Sequence, residues 1–341
     1  MGRCATRLHE AVRGHRWSRR GVGVLSIGID IGGTKIAGGL VDESGTIVQA
    51  RRVDTPEGPR AIEDAVAAMI GELRADTDAR AAGVAAAGFM DRERTRVRFA
   101  PNIAWRDEPL RDRISELSGL TVVIENDADA AGWAEFRFGA GRGRSHMTML
   151  TLGTGVGGAI IAGGELSRGG FGIGGELGHL RLVPGGLPCG CGRNGCLEQY
   201  ASGNALRRIA NEIADAEASG IGSALDAARG ADGRVSGHAI AELVLADDPG
   251  ALEALRRVAA SLGEACGSFA AVLDPEIFVI GGGVSVLDER LLAPVREAYL
   301  TALSAPDHRP VAEFAVAELI NDAGVIGVAD LARRAYLRDG E

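Results

Sequence analysis

His179, Cys189, Cys191 and Cys196 fall within eighteen residues, in the stretch HLRLVPGGLPCGCGRNGC. One imidazole and three thiols are donor types that Zn²⁺ takes in a tetrahedron, and the whole chain has only five cysteines. Glycines between the thiols let the backbone turn tightly enough to aim several side chains at one ion. All four positions would be filled, with none left for water, so the site reads as structural. The competing reading is buried or disulfide-bonded cysteines. Cys189 and Cys191 are too close to bridge comfortably, and nothing near Met1 resembles a signal peptide, so a reducing, cytoplasmic location is expected. Cys4 and Cys266 have no comparable company and read as bystanders.

A second set of residues suits phosphate. Asp30-Ile-Gly32-Gly33-Thr34-Lys35 places a carboxylate at a strand end, then two glycines whose amides can approach phosphate oxygens without a Cβ in the way. Thr34 adds a hydroxyl, Lys35 a cation, and Asp30 a ligand for Mg²⁺, directly or through water. Gly153-Thr154-Gly155, inside TLGTGVGG, offers more amides and a hydroxyl. Gly281-Gly282-Gly283 follows another strand and is expected to open a helix, which suits the nucleoside or its α-phosphate. An ordinary hairpin turn explains any one of these loops; three on equivalent elements are stronger evidence. None has the P-loop spacing, and Gly32-Gly33 leads into a strand, which excludes a Rossmann reading.

Acid–base chemistry points to Asp127. Val122-Val-Ile-Glu-Asn-Asp127 ends a strand where a helix begins. Open α/β sheets place ligands at strand carboxyl ends, where a carboxylate can accept a proton from an attacking hydroxyl. A plain helix cap explains the same position. Asn102, Glu176, His179 and Glu198 also sit in apolar surroundings and offer the donors and acceptors that sugar hydroxyls need. His179 can serve zinc with one ring nitrogen and a hydroxyl with the other.

The elements that must position these groups recur. Val24–Asp30 reads as a strand, followed by the glycine turn and the strands 36–41 and 46–53. Thr55-Pro56 is expected to cap a helix whose apolar stripe is Ile62, Val66, Met69, Ile70 and Leu73. A strand over 82–88 follows. Residues 147–152 and 159–162 repeat the strand, glycine turn and strand, and the helix 251–272 and strand 277–280 come later. The repetition implies an internal duplication: two mixed sheets flanked by helices, facing each other across a cleft. The closing helix, 323–337, is rich in alanine and glycine and is expected to return to the first half. The expected division is therefore a basic extension at 1–23, a smaller α/β domain from 24–130 plus 322–341, and a larger one at 131–321 carrying the zinc loop.

The 341 residues are 46% hydrophobic, enough for two cores, and the 51 glycines cluster after apolar strands. Apolar runs are too short to span a membrane. The net charge of −9 argues against non-specific nucleic-acid binding. Residues 1–23 are an exception, with six arginines and one acid, and read as a disordered extension.

With these residues in hand, the chain resembles the ROK (repressor, open reading frame, kinase) family over about Val24–Arg334. The stretches carrying the resemblance are DIGGTK (30–35), FAPNIAW (99–105), ENDA (125–128), TLGTGVGG (151–158), GELGH (175–179), CGCGRNGCLEQYASG (189–203) and GGGVS (281–285). RFGAGRG (137–143) and EQYASG (198–203) resemble the actinobacterial glucokinase branch. The resemblance implies an actin-like, ribonuclease-H-like duplicated fold with an interdomain cleft and ATP-dependent phosphorylation of glucose at the 6-hydroxyl. It also implies Asp127 as general base, sugar contacts from Asn102, Asn126, Glu176, His179 and Glu198, and a homodimer or homotetramer. Other hexoses (mannose, fructose, an N-acetylhexosamine) and polyphosphate as donor remain open. A sugar-responsive regulator would need a winged helix-turn-helix, which the residues before Val24 do not suggest. The chain departs from the family pattern at Asp129, where Asn is usual, and in the loop Phe171-Gly-Ile-Gly-Gly.

Overall fold

β1 (Ser26–Ile31) is buried along nearly its whole length because both faces of its sheet are covered. The computed structural model describes residues 24–100, 103–216 and 220–339. The expectations for the basic segment 1–23 and for Asn102 lie outside the described residues.

β1 pairs antiparallel with β2 (Lys35–Val41), which pairs with β3 (Ile47–Asp54). α1 (Pro59–Arg74) buries Ile62, Val66, Met69, Ile70 and Leu73, the stripe its spacing predicts. Its cap is not the expected one. The helix begins at Pro59 behind Gly58, and no side chain caps it. Thr55 instead donates its hydroxyl to Gly32 O at 2.7 Å and its amide to Thr34 O at 3.0 Å. The tight turn leaves those carbonyls without ladder partners, and Thr55 satisfies them.

β4 (Ala81–Ala86) runs parallel to β1 and ends two residues earlier than expected, before Gly88 at φ 148°. A small antiparallel sheet follows: β5 (Phe89–Met90), β6 (Val97–Phe99) and β7 (Arg106–Glu108). α2 (Leu110–Ser118) leads to β8 (Thr121–Asn126), parallel to β4, and then α3 (Asp127–Phe138).

β9 (Met147–Leu152), β10 (Val156–Ala162) and β11 (Glu165–Leu166) repeat the antiparallel start. β10 begins at Val156 rather than Ala159, so the glycine turn is shorter than it reads in sequence. After the zinc loop come α4 (Glu198–Ala201), α5 (Gly203–Ala216), α6 (Ser223–Ala227), α7 (Gly237–Leu245) and α8 (Pro249–Leu273). β12 (Ile277–Gly281) pairs parallel with β9, and beyond a 3₁₀ segment at Gly283–Leu287 lies α9 (Glu289–Ala302). The glycines at 281–283 thus open a 3₁₀ turn before the α-helix. β13 (Glu313–Val316) and α10 (Ala323–Asp339) complete the described chain.

The two five-stranded sheets have one topology. Their orders are β3-β2-β1-β4-β8 and β11-β10-β9-β12-β13, so each strand of one has a counterpart in the other. This is the duplicated architecture the repeated strand and glycine-turn pattern predicts.

α10 packs on the first sheet so closely that side chains would not fit between. A Cβ on Gly28 would lie 2.0 Å from Val325 O, and one on Gly83 2.1 Å from Val328 O. Glu135 of α3, fully buried, ties this helix down: its carboxylate accepts amides from Ala140, Glu318 and Leu319 at 2.7–3.1 Å. One core lies between the first sheet and α1, with Trp105 in it; another joins β12, α5, α8 and α9 through Phe278 and Tyr299. Among the described residues no helix is long and apolar enough to cross a membrane.

Candidate active site and zinc loop

The carboxyl ends of the parallel strands line up. Asp30 on β1, Ala85 on β4 and Glu125 on β8 occupy one row, and Asn126 lies one step beyond. Asn126 is the cap of α3: its side-chain oxygen accepts the amides of Ala128 at 2.9 Å and Asp129 at 3.1 Å. Its Nδ2 donates to Gly88 O at 3.2 Å. The capping position that could have explained Asp127 is therefore taken by Asn126, and the Asp127 carboxylate sits at the helix start beside its own amide and that of Ala128.

Burial raises the Asp127 carboxyl above the ordinary carboxylate range, against hydrogen bonds from backbone amides that lower it. Asp30 is pushed up to about 7, by burial first and then by the charge of Asp127. Gly324, at the start of α10, packs against the Asp30 carboxylate; a Cβ there would meet Oδ2 at 2.8 Å. A buried carboxylate whose charge is opposed by burial and by a neighbouring acid is one that a hard divalent cation relieves, so Asp30 fits a role in holding Mg²⁺.

The 281–283 and 153–155 turns meet at the ends of β12 and β9. Gly281 is in register with Thr151. Gly282, at φ 82°, lies so close to the β9 end that a Cβ would come within 2.6 Å of Leu152 backbone atoms. Gly203 donates its amide to Gly153 O at 2.8 Å. Thr154 is exposed, as are Gly32, Gly33, Thr34 and Lys35 in the equivalent first turn. Lys35 is already the first residue of β2, opposite Asp54.

Glu198 joins this turn to the thiol cluster. Its Oε2 accepts the Val156 amide at 3.2 Å, and a Cβ on Gly155 would lie 2.2 Å from the same oxygen. Its other oxygen, Oε1, accepts from Cys189 Sγ at 3.6 Å. The Glu176 carboxyl is raised by burial; His179 pulls it down, while Asp127 and Glu198 push it up. Asp127 and Glu198 are therefore each near enough to Glu176 to oppose its charge, although the three come from α3, α4 and the 168–176 loop.

His179, Cys189, Cys191 and Cys196 place their donor atoms within 4.8 Å of one another. Four ligands about 2.3 Å from a tetrahedral Zn²⁺ stand about 3.8 Å apart. Cys191 and Cys196 are 3.6 Å apart, and Cys189 Sγ is 3.7 Å from His179 Nδ1. The spacing fits zinc. Burial and the neighbouring thiols push Cys196 up to about 12, a cost that a divalent cation among the thiolates would remove. The outer nitrogen of His179, Nε2, faces Glu176 Oε2 at 4.0 Å. One ring nitrogen thus points at the metal position and the other toward the carboxylates. Cys266 is a fully buried core residue of α8, as its isolation suggests.

The sequence gives no sign of a buried charge network behind the base. Glu125 is fully buried and meets Arg94 and Arg168, while Asp129 shares Arg94 at 3.5 Å. These partners lie tens of residues apart, so no local spacing could reveal them. Among the described residues, Asp129 Oδ1 has no hydrogen-bond partner. Burial, then Glu125, raise the Asp129 carboxyl well above 3.8, with Arg94 and Arg168 opposing. A carboxyl raised on folding adds stability below its unfolded value, and that stability is lost as pH rises through the folded value. Asp129→Asn removes the titration, so its melting temperature relative to wild type should rise from pH 5 to pH 8. Thermal unfolding of both proteins at both pH values checks this; a difference that stays constant or falls toward pH 8 would contradict it.

A family profile described as ROK family matches residues 26–335. The chain belongs to the ROK family. A glucokinase of Streptomyces coelicolor is 45% identical over 309 residues, spanning 91% of this chain and 98% of that protein. A ROK family glucokinase from Streptomyces griseus, solved in complex with glucose and AMPPNP, superposes with a TM-score of 0.80 at 45% identity, over 91% of this chain and 99% of that one. The ROK hexokinase of Thermus thermophilus superposes with a TM-score of 0.75 at 35% identity, over 93% of this chain and all of that one. The duplicated sheets are thus the actin-like fold of ROK kinases.

Proposed function

We propose that this protein is a glucokinase that transfers the γ-phosphoryl group of ATP to the 6-hydroxyl of glucose. The observation that carries the reading is the cluster of Asp127, Glu176 and Glu198, with Glu198 bonded to the glycine turn at Val156 and to the thiol loop at Cys189. A base, a phosphate-binding turn and polar groups suited to a sugar meet there. Identity of 45% to Streptomyces glucokinases over nearly the whole chain supports glucose as the acceptor.

Asp127 takes the 6-hydroxyl proton as that oxygen attacks the γ-phosphorus. Glu176, Glu198, His179 Nε2 and Asn102 bind the remaining hydroxyls. Asn126 holds the start of α3, and one hydrogen of its amide is left for the sugar. Amides of residues 32–34, 153–155 and 281–283 cradle the nucleotide, with Thr34, Thr154 and Lys35 beside them. Mg²⁺, held by Asp30 directly or through water, supplies positive charge to the transferred phosphoryl group. Zn²⁺ on His179, Cys189, Cys191 and Cys196 supplies rigidity to the loop that bears the sugar contacts. Closure of the halves keeps water from competing with the sugar hydroxyl. A homodimer or homotetramer acting in the cytoplasm, on the ATP available there, completes the proposal.

A panel of glucose, mannose, fructose and N-acetylhexosamines, each with ATP or polyphosphate, tests it. Glucose with ATP should give the highest kcat/KM, with product phosphorylated at position 6. Another sugar or donor in first place would reassign the substrate, and no turnover with any pair would reject the function.

A further inference from the structure

The 168–176 loop, which bears Glu176, belongs to the chain after β11, whereas Asp127 follows β8. Their relative placement has to be enforced across the molecule. Glu125 sits between them, two residues before Asp127 and fully buried. Its Oε1 accepts the Asn126 amide at 3.0 Å and lies 2.8 Å from Arg94 Nε, a charge contact off the hydrogen-bond direction. Its Oε2 accepts from Arg168 Nε at 2.7 Å and lies 2.6 Å from Arg168 Nη2. Arg168 opens the sugar loop, and its carbonyl accepts the Gly174 amide at 2.9 Å.

Arg94 grips the same loop from the other side. Its Nη1 donates to Gly172 O at 2.6 Å and to Asp91 O at 3.1 Å. Arg94 is buried and adopts φ 51°, an uncommon conformation for a residue with a side chain. Gly172, at φ 81°, lies so near the turn at residues 91–92 that a Cβ would come within 2.7 Å of Arg92 Cα. The loop is therefore seated on that turn and pinned at Arg168 and Gly172. Nothing else in the catalytic scheme uses these charges, and a buried ion pair is a poor source of net stability.

We propose that Arg94, Glu125 and Arg168 form a positioning triad that holds the Glu176 loop in register with the base at Asp127. Glu125 is the shared anchor: one oxygen fixes the backbone entering α3 and the other fixes the start of the sugar loop. None of the three touches substrate. Their effect is on where the sugar hydroxyl lies relative to Asp127, and small displacements of reacting groups cost about 10²-fold in rate. The inference rests on the sugar-kinase function proposed above.

Arg168→Gln is the direct test, since its side chain is 32% exposed, Glu125 keeps Arg94, and the Gln amide can still donate to Glu125 Oε2. It should lower kcat/KM for glucose by about 10- to 100-fold through both kcat and glucose KM. KM for ATP and zinc content should stay near wild type; the melting temperature should fall, because buried Glu125 keeps only Arg94, so kinetics are compared per folded protein at a temperature where both proteins are fully folded. Arg168→Lys, which keeps the charge but loses the guanidinium fork, should recover part of the lost activity. The triad is overturned if Arg168→Gln keeps kcat and glucose KM within twofold of wild type, or if its loss of activity only follows its loss of folded protein. Should Arg168→Gln not fold, Arg168→Lys decides alone: wild-type kinetics overturn the triad, and a glucose-specific deficit supports it. Wild type runs beside both variants. Failure of wild type to phosphorylate any hexose would strike the function itself, whereas active wild type with indifferent variants would strike only the triad.

Discussion

Asp127→Asn should bind glucose nearly as well as wild type and phosphorylate it about 10²–10⁴-fold more slowly. Asn keeps the size of the side chain and cannot take the hydroxyl proton. The helix start should survive, because Asn126 rather than Asp127 caps α3. KM for glucose and ATP should change little, placing the loss in kcat. The wild-type pH profile should carry the same signature. A base acts only when deprotonated, and burial raises the Asp127 carboxyl. Turnover should therefore fall toward acid with a midpoint above the ordinary carboxylate range, and this limb should be absent from the residual rate of Asp127→Asn. Steady-state kinetics from pH 5 to 9 on both proteins measures it. A variant with near-normal kcat would remove Asp127 from the base role.

Cys191→Ser, or zinc withdrawal by a strong chelator, should weaken glucose binding and stability together. The thiols and His179 span the loop between the second sheet and α4, and Glu176 and Glu198 flank them. Without the ion, three crowded thiols have no cation to satisfy them, and the His179 ring loses the bond that orients it toward Glu176. Disturbing the shell around a metal typically costs about 10- to 100-fold, and glucose KM should rise by at least that much. The ATP-binding turns depend on the loop only through Glu198, so KM for ATP should move less. Metal analysis of the purified protein, its melting temperature and the two KM values together decide the matter. Fully active protein containing no zinc would reject the loop as a metal-held frame.

Some of the site is legible in the residues because the physics behind it is local. The zinc donors crowd into eighteen residues, and the order of strand, glycine turn and strand appears twice, so the thiol cluster and the paired sheets can be anticipated. The apolar stripe of α1 follows from helical spacing, and the alanines and glycines of 323–337 anticipate the close packing of α10 on the first sheet, whereas the part Gly28 and Gly83 play in it appears only in the structure. Local reasoning went astray where two nearby groups compete for the same partner. Thr55 has the chemistry of a helix cap, but the carbonyls of the Gly32–Thr34 turn claim it. Asp127 and Asn126 both suit the cap of α3, and Asn126 takes the position.

From the sequence alone came the candidate ligand set for zinc, the three candidate phosphate turns, the duplicated architecture and, through the family resemblance, Asp127 as the proposed base, all features written in residues that are neighbours along the chain. The tertiary structure decided the rest: the burial of Asp30 within reach of the Asp127 charge, the link from Glu198 to both the glycine turn and the thiols, and the seating of Arg94 and Arg168 on Glu125. Each joins groups on separate elements, and its energy depends on burial and on distances of a few ångströms. Neither quantity exists until the two sheets have packed.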